Sequence, residues 1–111
     1  MTIVNQDYVA RQIEMIGEMI IAALGSQVIG KSNEALDTLD AGLEALFGKE
    51  ADLVEMVDSH TAARLIGDPR KVRAYADLLR TKVKLLGGKN NSAVIKSRYE
   101  SLYEEALRMS N

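Results

Sequence analysis

Leu36, Leu39, Leu43 and Leu46 recur at i, i+3, i+7 and i+10. That spacing gathers four leucines on one face of a helix, whereas a strand would divide them between its two faces. Sustained period-two alternation occurs nowhere in the chain. The pattern predicts an all-α fold.

Punctuation divides the 111 residues into five helical segments, at about 5–27, 33–47, 51–66, 69–86 and 92–109. Asn5 is the expected N-cap of the first, and Gly30-Lys31-Ser32-Asn33 breaks and restarts the chain. Gly48 and Gly67 end the second and third segments, because glycine tolerates the positive φ of a helix C-terminus. Asp58-Ser59-His60-Thr61 is weakly helical and marks a candidate break inside the third. The fourth start is the clearest. Asp68 is a strong N-cap, and Pro69 at the first helical position gives up an N–H that had no partner there. Gly87-Gly88 ends that helix, and Asn90-Asn91-Ser92 offers caps for the fifth. The expected apolar sets are Leu53, Met56, Val57, Ala63 and Leu65 in the third segment, and Val72, Tyr75, Ala76, Leu79, Val83 and Leu86 in the fourth. The length suits one domain spanning 1–111.

Hydrophobic residues make up 47% of the chain and charged residues 27%, which fits a globular protein rather than a disordered or membrane one. The longest apolar run, Met19–Leu24, is far shorter than the about 20 residues needed to span a bilayer. No basic leader precedes it. A cytoplasmic location is expected, in keeping with the absence of cysteine, which also removes thiolate nucleophiles and sulfur-ligated metals.

Candidates for chemistry are few. His60 is the only histidine, and its neighbours Ser59 and Thr61 point about 100° away on a helix, so no local nucleophile–base pair forms. Glu34, Asp37, Asp40 and Glu44 share the side of the second helix opposite its leucines, and read as a solvated stripe. Asp37, Asp40 and Glu44 are the residues an enzymatic or metal-binding alternative would use. Glu104-Glu105 also reads as surface. Gly87-Gly88-Lys89 follows a helix and lacks the hydroxyl of a phosphate loop, so it reads as a turn. The expectation is a non-enzyme with no cofactor, metal or small-molecule substrate.

Charge is distributed unevenly. Residues 1–68 carry 12 acids and 4 bases (net −8), and residues 69–111 carry 4 acids and 10 bases (net +6), consistent with −2 overall. In the fourth helix Arg70, Arg73, Arg80 and Lys84 align opposite the apolar face, with Asp77 among them. This face is a candidate electrostatic surface, and nucleic acid is the alternative partner it suggests. Net acidity and only five aromatic residues argue against nucleic acid. A contact between the basic helix and the acidic second and third, within one subunit or across subunits, is the simpler reading.

Residues 68–109, with YADLL in one helix and YESLYEEAL in the next, are similar to a tetratricopeptide helix pair, where small residues such as Ala76 and Ala106 permit close approach. The pair spans 42 residues against about 34 in the standard repeat, and lacks the tryptophan and closing proline. Over nearly the whole chain, NQDYVARQI, NEALDTLDAGLEALFG, DPRKVRAYADLLRTKVKLLG and YESLYEEAL resemble, in that order, an uncharacterised family of small all-helical tetratricopeptide-like proteins of Gram-positive bacteria. The resemblance implies a five-helix, tetratricopeptide-like bundle and supplies no site residues.

The first helix is apolar around nearly half its circumference, through Tyr8, Met15, Ile16, Met19, Ile20 and Leu24. Such a helix must be sandwiched within the fold or covered by a second subunit. The expected function is a protein–protein interaction module with an unidentified protein partner. It is expected to form a homodimer in which Met15, Ile16, Met19 or Ile20 loses exposed area.

Overall fold

The computed structural model describes residues 2–89 and 91–110, with the side chains of the first helix described from Tyr8 onward. The helices are α1 (Thr2–Val28), α2 (Ser32–Phe47), α3 (Ala51–Met56), α4 (Ser59–Ile66), α5 (Pro69–Leu86) and α6 (Ser92–Ser110), with a 3₁₀ turn at Gly48–Glu50. Among the described residues there is no strand. The chain is an all-α helical bundle, and none of its described helices is long and apolar enough to cross a membrane.

Several boundaries follow from local chemistry. Gly67 and Gly87 adopt left-handed conformations and return their N–H groups to Ala63 O and Val83 O, closing α4 and α5. Asp68 caps α5 by accepting from the Arg70 N–H at 2.8 Å, with Pro69 in the first turn. The first helix begins at Thr2, so Asn5 lies inside it rather than capping it. Asn90 lies outside the described residues, and Ser92 donates its hydroxyl to the carbonyl of Lys89.

The third segment is two helices. Val57 is extended, and Asp58 caps α4 by accepting from Thr61 N–H at 2.7 Å. An extended residue resets the helical phase, so the apolar set expected of one continuous helix holds only in part. Ala63 is buried and Val57 packs against the core, but Leu53, Met56 and Leu65 are exposed, and Val54 and Ala62 enter the core in their place.

The core forms where α5 meets its neighbours. Packing extends from α5 to α6, α1, α2 and α4, and α1 packs along α2. Buried residues on α5 are Val72, Ala74, Tyr75, Ala76, Leu78, Leu79, Thr81 and Leu85. Seen down the axis at 100° per residue, they leave a single gap of about 140° around the helix. The expected stripe through Val72, Tyr75 and Leu79 is present. A second stripe, Ala74, Leu78, Thr81 and Leu85, has closed the other side. Gly42 permits this close assembly: a Cβ there would stand 3.2 Å from Met19 Sδ and 3.3 Å from Leu78 Cδ2.

Arg98 on α6 closes the break between α3 and α4. Its Nη2 donates to Val54 O at 2.6 Å and its Nη1 to Val57 O at 2.7 Å, satisfying carbonyls that the end of α3 leaves without helical partners. The guanidinium also lies over the Tyr75 ring, 5.7 Å from its centroid, and Phe47 meets that ring edge-on at 5.2 Å. One arginine therefore ties α3, α5 and α6 together.

Candidate functional site: a basic strip between two helices

The uncovered strip of α5 carries Arg70, Arg73, Asp77, Arg80 and Lys84. The four bases are exposed, while Tyr75 is 0% exposed and Leu79 is buried, as the helical period requires. α1 and α6 pack on either side of α5, and among the described residues their Cα atoms come no closer than 8 Å to each other. The strip is therefore the floor of a valley. At its α5 N-terminal end, a hollow of about 260 Å³ is lined by Ile13 of α1, Pro69, Arg70, Arg73, Ala74 and Asp77 of α5, and Ala106 and Ser110 of α6.

Most of the positive charge in this valley is uncompensated. Arg70 pairs with Asp68 at 3.0 Å, whereas Arg73, Arg80 and Lys84 form no ion pair among the described residues. The single acid on the floor, Asp77, is engaged: Tyr103 of α6 donates its hydroxyl to it. Burial first, and then this hydrogen bond, push the Tyr103 phenol up to about 12, with Arg80 pulling the other way. Tyr99 meets Tyr103 edge-on at 6.0 Å, completing an aromatic wall.

The acidic stripe lies on the other side of the molecule. Lys82 Nζ reaches 4.0 Å from Asp40 Oδ1, so the basic and acidic helices do meet within one chain. Asp37, Asp40 and Glu44 share an open cleft of about 630 Å³ with Asp52 and Glu55 and with Lys49 and Lys82. Among the described residues, no three carboxylates or histidines converge where a metal ion would sit. This cleft brings the α2 acids beside those of α3, a juxtaposition the separate helices did not reveal.

The proposed self-association face divides. Ile16 is 1% exposed within its own chain and belongs to the core, so it has no surface to give a partner. Met19 and Ile20 are half-buried against that core. Met15, at 37%, remains accessible beside Tyr8. The sandwiched helix is α5, not α1.

Two charged residues were misjudged or missed from the sequence. Glu105 is buried, 7% exposed, because it accepts from Arg108 Nη1 at 2.7 Å and lies 3.0 Å from His60 Nδ1. Nothing in the YESLYEEAL pattern separates it from exposed Glu104, since its burial comes from α4, 45 residues away. Arg98 carried no local signal either. The second buried stripe of α5 did have one, in the 4-3-4 spacing of Ala74, Leu78, Thr81 and Leu85. No family model, curated protein or solved structure matches the chain.

Proposed function

We propose that this chain is a non-enzymatic, tetratricopeptide-like helical protein–protein interaction module of the cytoplasm. Its docking surface is the basic-floored valley between α1 and α6, and the surface it receives is an acidic protein face. The observation that supports this reading is the isolation of the strip. The most central helix in the bundle is covered on all sides but one, and there it presents three bases with no ion pair among the described residues.

A protein partner is favoured over nucleic acid by what surrounds the strip. Asp77 sits amid the bases, and the acids of α2 and α3 give the molecule a negative opposite face. A phosphate backbone repeats its charge along the whole contact and is repelled by such a surface. Fluorescence anisotropy in about 0.15 M salt tests the choice, using an acidic Glu/Ala helical peptide and a single-stranded oligonucleotide of equal charge. The reading predicts that the peptide binds and the oligonucleotide does not. The reverse order contradicts it.

A further inference from the structure

We propose that the partner received by the valley is a second copy of this chain, docking the outer face of its α2. The copies then assemble head-to-tail rather than about a two-fold axis. The inference rests on the valley being the docking surface, and it names the occupant.

Complementarity begins with charge and spacing. The exposed face of α2 carries Glu34, Asp37, Asp40 and Glu44 and no base. Asp40 is partly answered by its own Lys82, but Asp37 and Glu44 have no ion pair among the described residues. Asp37 and Glu44 lie seven residues apart, as do Arg73 and Arg80. Two helical turns separate the members of each pair, about 10.5 Å along the axis, so one helix laid along the other engages both pairs at once. Ala41 and Ala45 are also exposed on α2, and they leave its outer face low enough to enter a valley. The single acid of the floor, Asp77, keeps its charge and accepts from Tyr103 through one oxygen, and the four bases around it leave the floor positive.

Topology then sets the mode of assembly. Lys82 contacts α2 through Asp40, and Leu78 approaches α2 at Gly42. Both lie two residues from Arg80 and project about 160° away from it on the helix. Donor and acceptor surfaces therefore occupy opposite sides of α5. A molecule cannot fold that arrangement into one self-complementary patch. The contact is heterologous, and it repeats into an open chain or closes only as a ring.

Sedimentation velocity on the full chain decides the matter, with three proteins: wild type, Arg73→Gln with Arg80→Gln, and Asp37→Asn with Glu44→Gln. All four positions are exposed, and helical circular dichroism confirms that each variant is folded. Wild type is expected to grow in size with concentration in 0.05 M salt and to lose association on the order of tenfold in 0.5 M. Each variant alone stays monomeric. Their equimolar mixture forms a one-to-one complex and stops, because each retains the surface the other lacks. Assembly that survives in either variant, or a closed dimer broken by Met15→Asp, overturns the head-to-tail contact while leaving self-association intact. A wild type that stays monomeric in low salt overturns self-association. If the acidic peptide still binds that monomer, the valley stands as a docking surface for another protein.

Discussion

The two long helices α1 and α5 invert what their compositions suggest. α1 is the more apolar, yet it buries one side and leaves Tyr8, Ile21 and Val28 exposed. α5 carries six basic residues in 18, yet it is the helix the others surround. Burial is decided by position in the bundle and by how closely neighbours can approach, not by mean hydropathy. α5 has Ala74, Ala76 and Thr81 where partners come near, and its long bases share one edge or lie along the flanks with their stems covered. The functional proposal follows from this inversion. A helix used as a core element has little surface left, and what remains is concentrated and charged.

The inversion breaks first at α5. Leu78→Ala should cost about 3 kcal/mol, the usual range for emptying a packed site, while Ile21→Ala on α1 should cost under about 0.5 kcal/mol. Urea midpoints measure both. Equal losses would mean that α1 contributes as much to the core as α5 does. Next in size, Arg98→Met should cost about 2 kcal/mol, because it leaves the carbonyls of Val54 and Val57 without donors.

Smaller changes sharpen the contrast from the α1 side. Gln12 is buried on the core face of α1 and its Oε1 has no partner among the described residues, so Gln12→Met should stabilise by about 1 kcal/mol. Gly17 is exposed, and a methyl group added there would meet nothing within 4 Å. Gly17→Ala should therefore gain about 0.5–1 kcal/mol of helix propensity in thermal melts. Gly42→Ala must fall short of that gain, because its methyl crowds Met19 and Leu78.

A pH dependence at the valley wall is confined to alkaline solution. Tyr103 ionises at about 12 in the folded chain against 10.0 ordinarily. The unfolded chain therefore ionises first, so this contribution is fully present below pH 10 and is lost as pH rises through 12. Tyr103→Phe should flatten the stability profile over that interval. An unchanged profile would remove Tyr103 as its source.

Local chemistry was legible in the sequence, and partnership was not. Asp68-Pro69, Gly67 and the leucines of α2 declare their roles through caps and period, and Leu39, Leu43 and Leu46 are buried as that period requires. A break at Asp58–Thr61 was legible as a candidate, but its effect on phase was not, because the apolar set was drawn through it as one continuous helix. The strip of Arg70, Arg73, Arg80 and Lys84 was legible as a face, but its place on a valley floor depends on α1 and α6 flanking α5 with their Cα atoms no closer than 8 Å. Glu105 and Arg98 depend on residues of α3 and α4 more than 40 positions away, which no helical period encodes.

Chemical-shift changes on dilution, followed residue by residue on ¹⁵N-labelled wild type in 0.05 M salt, test the account most directly. The amides of Asp37–Glu44 and of Arg73–Lys84 should move together with one midpoint, and the movement should disappear in 0.5 M salt. Shifts confined to the surroundings of Tyr8 and Met15, or movement of only one of the two charged faces, would contradict it.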